Sequence, residues 1–274
     1  MQQYAHGSHW ECIIEDGYLM FLLETLLNQG DVENKTLAEV KLNDGEHLSP
    51  SMVHSITIPE EFSAMALVAA NNLTNENLFV TAYPFIRSGE IHRLKIIEII
   101  EWDNNLEAYI KAETMAGQKI SFFDTMYFYN KTSYNINQSY NFHLSAIAYT
   151  AETLPEKFIK YKGKDAEHFY KKFNKKPEYE KDGKIKPFII HIDDMVAFIP
   201  LDENFPEDYG FQSTADFLAY FDIWGQRFCQ FRIQIFPDPE VYINLFAKNS
   251  FFSNRKYDGG SIRGNIWMQG YLAT

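Results

Sequence analysis

Residues 108–134 match residues 231–257 at a constant offset of 123, and this faint internal repeat constrains the fold more than any other feature of the chain. Ile110/Ile233, Ile120/Ile243, Phe123/Phe246, Phe128/Phe251 and Tyr134/Tyr257 are identical pairs. Ala108/Phe231, Ala112/Ile235 and Phe122/Leu245 keep apolar character. Matches of this kind point to one supersecondary unit built twice. The matched residues alternate apolar and polar, so the repeated unit is expected to be β-rich.

Around the repeat, a chain of 274 residues is long enough to bury one large or two ordinary cores. Hydrophobic residues make up 46% and aromatics 16%, which excludes a disordered chain. The longest apolar stretch, Tyr18 to Leu27, already contains Glu24 and is too short for a membrane helix. The first residues have neither the basic start nor the apolar centre of a signal peptide. Cys12 and Cys229 are far apart with no CxxC, so a reducing, cytoplasmic compartment is expected. Lys outnumbers Arg 19 to 6, which suggests an AT-rich genome, bacterial or phage. The net charge of −12 is uneven: residues 1–60 carry 10 acids and 2 bases, whereas residues 155–186 carry 6 and 11. An acidic amino-terminal part opposes nonspecific nucleic-acid binding by the whole chain, because that binding draws on Lys and Arg at phosphates.

Read along the chain, HWECII (9–14) alternates as a short strand. Asp16 is placed to cap a helix from Tyr18 to Leu27, which Gly30 stops. Residues 31–52 read as loop with short structure. Residues 59–70 fit either a helix opened by Thr57-Ile-Pro-Glu60 or a strand. From His92 the signal is firmer: RLKIIEII, WDNN, LEAYIKAET, KISFFD, an aromatic link and YNFHLSAIAY. The second unit offers FLAYFDIW, GQ, RFCQFRIQI, PDP, VYINLF and SIRGNIWMQGYL. This order resembles small Greek-key barrels of the OB type over about half the chain. The expected class is α+β, mainly β. It has an acidic mixed α/β region at 1–90, barrel-like units at 91–154 and 213–274, and between them a lysine-rich helix and connecting strand at 155–212. Asp165 is placed to cap that helix, which carries Ala166, Phe169, Tyr170 and Phe173 on one face; PFIIHIDDMVAFIP reads as a buried strand.

Two polar rows are the candidate binding surface. Arg263, Asn265, Trp267 and Gln269 share one face of the final strand, while Arg232 and Gln234 alternate against Phe231, Ile233 and Ile235. A flat ring with Arg and amide donors suits stacking and edge hydrogen bonds. The bland alternative is an ordinary outer face with Trp267 covered by the amino-terminal region. His191 and Asp193, beside Asp194, have metal-ligand or general-base chemistry but no second His/carboxylate pair at recognisable spacing. His6, His9 and Cys12, at three-residue intervals on a strand, would not converge on a metal. Phe122, Phe123, Tyr127, Phe128 and Tyr129 read as core.

No GxGxxG, P-loop, GxSxG or HExxH occurs. The expected function is therefore a non-catalytic binding or adaptor protein that engages another protein or a polymer, with no catalytic residue, cofactor or metal. The alternative is a single-stranded nucleic-acid binder using the carboxy-terminal unit, and the third reading is a metal-dependent enzyme near His191.

Overall fold

A computed structural model describes residues 6–14, 18–42, 47–58, 60–70, 76–154, 158–192, 195–252 and 260–273. The fold is mainly β, with three sheets among the described residues. It opens with helices α1 (Gly7–Glu11) and α2 (Tyr18–Gln29). An antiparallel four-stranded sheet follows in chain order: β1 (Asp31–Lys41), β2 (His47–Thr57), β3 (Phe62–Ala70) and β4 (Asn77–Ile86). Next come β5 (Glu90–Glu101), β6 (Ala108–Thr114), β7 (Lys119–Asp124), the single turn α3 (Tyr127–Asn130) and the long β8 (Ser139–Thr153). A small unit of β9 (Phe158–Tyr161), α4 (Lys164–Lys172) and β10 (Phe188–His191) precedes β11 (Ala197–Pro200). The chain then runs through β12 (Asp208–Ile223), β13 (Gln226–Pro237), β14 (Glu240–Lys248), a 3-10 turn (Asn249–Phe252) and β15 (Ser261–Leu272).

The largest sheet has nine strands and closes on itself twice. One ring runs β5–β6–β7–β15–β8 and back to β5; the other runs β12–β13–β14–β8–β15 and back to β12. β8 and β15 belong to both. In each ring three antiparallel strands lead to a parallel pairing, β7 with β15 and β14 with β8. The first strand of each triplet pairs antiparallel with its own fourth strand, β5 with β8 and β12 with β15. The two halves of the chain thus share one pairing scheme. The hairpin registers differ by two residues: Ala112 faces Ile120, whereas Ile233 rather than Ile235 faces Ile243. A shift of two keeps every side chain on its original face. Tyr257, one member of the matched pairs, lies outside the described residues.

The alternation fixes the ring interiors. Ile110, Phe122, Phe142 and Leu144 in one ring, and Phe231, Ile233, Ile243 and Leu245 in the other, are fully buried in one continuous core. Where the rings join, glycine is required by space. A Cβ on Gly264 would stand 1.9 Å from the Thr150 carbonyl oxygen, and one on Gly270 2.7 Å from the Phe122 ring. The four-stranded sheet packs its apolar face on the outside of the rings and forms a second core, in which Phe62 meets the rings of Phe228 and Phe246. β3 is buried along nearly its whole length because α2 also packs against it.

Four sequence expectations are corrected here. Residues 9–14 are not a strand: α1 takes Gly7–Glu11, and its turn places Trp10, Ile13 and Ile14 together in the second core. Within the segment read as loop with short structure, residues 31–41 form β1 and residues 47–52 belong to β2; β1 buries only Ala38 and Val40, so it has little apolar alternation to read. Residues 62–70 form β3, which resolves the helix-or-strand ambiguity in favour of the strand. PFIIHIDDMVAFIP is not one buried strand but β10 and β11, in different sheets and largely exposed. In α4, Gly163 holds the N-cap position and Asp165 sits in the first turn. Asp16, the expected cap of α2, lies outside the described residues.

Replacing Ile233 by Asp would exchange a fully buried side chain for a carboxylate with no partner. Loss of apolar burial alone costs about 1.5 to 3 kcal/mol, and desolvating the charge raises the total above about 4 kcal/mol. Urea unfolding should show this loss, with a smaller one, on the order of 1 to 3 kcal/mol, for Gly264→Ala, in which the β8 and β15 backbones must move apart. An unchanged midpoint for Ile233→Asp would mean that the strand faces the other way.

Candidate functional site

The interface between the four-stranded sheet and the rings should be apolar throughout, and along one seam it is not. His6, His9, Asn104, Glu107 and Glu207 are all buried there. Burial of so many polar groups requires partners, since each unpaired one costs roughly 1 to 3 kcal/mol. Most have them. Asn104 Oδ1, in the β5–β6 connection, accepts the backbone N–H groups of Leu106 and Glu107, which pins that loop. The Asn104 amide donates to Glu107 Oε2. Glu107 Oε1 lies 2.5 Å from His6 Nε2, and the Thr81 hydroxyl donates to it at 3.4 Å. His6 Nδ1 lies 2.8 Å from His9 Nδ1.

Glu107, His6 and His9 thus form one hydrogen-bonded chain in which Glu107 also receives the Asn104 amide, and Nε2 of His9 is the imidazole nitrogen that the chain does not use. Aromatic faces hold both imidazoles: His6 stacks on Trp102 at 5.0 Å and His9 on Trp267 at 3.9 Å between centroids.

The other wall is the start of β12. Glu207 accepts Met268 N–H at its backbone carbonyl, and Asp208 pairs with Trp267 in the ladder, so both carboxylates are set by backbone bonds to β15. Ligand atoms of His9, Glu207 and Asp208 all lie within 4.8 Å of one another. Asp208 Oδ1 accepts the Tyr149 hydroxyl at 2.8 Å. Both Glu207 oxygens are buried without a hydrogen bond; the Tyr109 hydroxyl lies beside them but makes none of good geometry. Desolvation pushes Glu207 up to about 8 and Asp208 to about 6, and it lowers His9 well below its ordinary value. Two carboxylates and one imidazole with ligand atoms this close form a donor set suited to a cation.

The sequence-derived binding row is divided by this arrangement. Trp267 is 0% exposed, under the imidazole of His9, and Gln269 is buried with its amide donating to the Pro84 carbonyl at 2.7 Å. Arg263 and Asn265 are exposed beside a groove of about 460 Å³ that also takes in Ile199 and Gln212, but Arg263 is paired with Glu152 at 2.7 Å. Arg232 lies apart from these, bonded to Glu90 at 2.7 Å and stacked 3.9 Å from the Tyr242 ring centre. Gln234 is half-buried on the same strand. The six residues do not face one open groove. His191 is exposed, edge-on to Phe158, while Asp193 and Asp194 lie outside the described residues. In the lysine-rich unit, Tyr170 and Phe188 form a small core of their own, and Lys172 and Lys175 sit over Phe169 and Phe188. Of the five clustered aromatics, Phe122, Phe123, Tyr127 and Phe128 are buried and Tyr129 is exposed. His6 and His9 meet because α1 is a helix rather than a strand, but they meet each other; of His6, His9 and Cys12 only His9 joins the donor set with Glu207 and Asp208.

Asp124, at the end of β7, is a further buried carboxyl. It accepts Tyr134 O–H at 2.7 Å and Met126 N–H at 2.9 Å, yet desolvation outweighs both bonds and pushes it up to about 7. The folded state therefore keeps a proton that the unfolded chain releases near pH 4. The sign is that stability falls as pH rises through the window from about 4 to 7, by about 1.4 kcal/mol per unit from this group. Asp124→Asn should flatten the slope. Between pH 5 and 8 the variant should gain roughly 2 to 3 kcal/mol relative to the parent in urea unfolding, and parallel pH profiles would show that Asp124 is ionised throughout.

Comparison of the chain with protein-family models, with characterised proteins and with solved structures returned no match.

Proposed function

We propose that the chain is a non-catalytic binding protein built from two OB-type barrels, which engages another protein through an open strand edge. The barrel reading rests on the two rings, each with three antiparallel strands and a parallel closure. In this reading each half contributes its fourth strand to the closure of the other.

The observation that carries the functional reading is the far half of β12. Up to Thr214 this strand is paired with β15 as well as with neighbours on its other side. From Asp216 to Ile223 it pairs only with β13 among the described residues. That stretch exposes Phe217, Leu218 and Tyr220, with Phe217 and Tyr220 in ring contact at 4.5 Å. Tyr18 and Phe21 of α2 continue the apolar surface past Trp224. An unpaired edge flanked by exposed aromatics invites addition of a partner strand, with main-chain bonds supplying affinity and side-chain pockets specificity.

Single-stranded nucleic acid is less well supported as the partner. Stacking needs an accessible ring, and Trp267 is fully buried. Arg232 and Arg263, the cations of the expected binding row, are held in ion pairs.

Fluorescence anisotropy with labelled oligonucleotides at low salt should give no binding by the folded protein. Cross-linking in extracts of cells that make the protein should map a partner to residues 216–223, and Leu218→Pro should reduce that cross-link at least tenfold. Salt-sensitive oligonucleotide binding that is lost in Arg263→Ala would replace this reading with the nucleic-acid one.

A further inference from the structure

We propose that His9, Glu207 and Asp208 form a binding site for one divalent transition-metal ion of the Zn²⁺ or Mn²⁺ class. Three independent features of the seam meet at this point. The ligand atoms lie within 4.8 Å of one another, close enough to share an ion. Glu207 is 0% exposed and neither of its oxygens has a hydrogen bond of good geometry, the Tyr109 hydroxyl beside them included, which leaves a buried acceptor pair unsatisfied. The hydrogen-bond chain from Glu107 through His6 ends on His9 Nδ1, so that in the proposed site His9 Nε2 is the nitrogen that would take the ion. A ligating imidazole commonly gives its other N–H to such a chain, which fixes tautomer and ring orientation.

Charge points the same way. The Tyr149 hydroxyl donates to Asp208 and the Tyr109 hydroxyl lies beside Glu207, and neither is cationic. A divalent ion would balance both carboxylates. One imidazole and two carboxylates favour a borderline ion over Ca²⁺, which takes six to eight oxygens. Asp208 is only partly buried and gives the ion a route from solvent.

Within this site Glu107 is a positioning residue, since it reaches the ion only through His6 and His9. Its replacement by Gln should weaken binding without removing a ligand.

The test is titration of the full chain, stripped with chelator, with Zn²⁺ and separately with Mn²⁺ by calorimetry, together with the thermal midpoint with and without each metal. The expected result is one equivalent bound by at least one of the two ions, with a rise in midpoint. Glu207→Gln should weaken binding at least a hundredfold and Glu107→Gln by 10- to 100-fold. Bound Co²⁺ should show a visible spectrum that Glu107→Gln shifts, an effect that mere support of the fold would not produce. Asp208→Asn, on the more exposed ligand, keeps the test valid should Glu207→Gln fail to fold. Absence of binding by the folded parent to either ion at 100-fold molar excess would overturn the proposal. Binding unaffected by both ligand substitutions would overturn it equally.

Discussion

The antiparallel pairing of β8 with β15 is the contact on which the architecture depends. Each strand is used by two rings, so the bonds that join them also close both rings. The join tolerates no side chain at Gly264, where the backbone of β8 comes within contact distance of a missing Cβ. Two consequences reach the seam. The pairing skips Tyr149 between Thr150 and Ala148, and beyond that irregularity β15 is buried on both faces. Trp267 and Gln269 therefore lie beneath the amino-terminal layer, while Arg263 and Asn265 remain at the surface.

That layer turns a sheet face into an interior, and it also explains why the seam can be polar. Two apolar surfaces in contact need no specific partners. The donors of His6, His9 and Asn104 and the acceptors of Glu107 are satisfied only in one relative placement of α1, the β5–β6 connection and the start of β12. A buried network of this kind gives up some of the stability of an apolar filling and gains a unique alignment of layers.

Strands with one buried face were legible. β5 to β8 and β12 to β15 follow from period-two alternation, and Ile110 and Ile233 fall inside the rings as their patterns require. Strands that bury little were not: β1 offers only Ala38 and Val40 to the core, and its polar residues resemble loop. α1 was missed because six residues cannot distinguish a period of two from one of 3.6. The polar seam had no signal at all. It gathers residues 6–9, 104–109, 149 and 207–208 from segments remote in sequence, and its key inference, that His6 and His9 meet, depends on a helix that reads as a strand.

The exchange of fourth strands also sets an order of events. β5, β6, β7 and β8 leave the ribosome together, yet their ring lacks a wall until Ser261–Leu272 has been made. Until then the edges of β7 and β8 that β15 covers have no partner within the first half. Evolution by cutting or permuting the chain between the halves is blocked for the same reason: a half on its own is an open sheet, and two separate copies of such halves could complete each other only by trading strands.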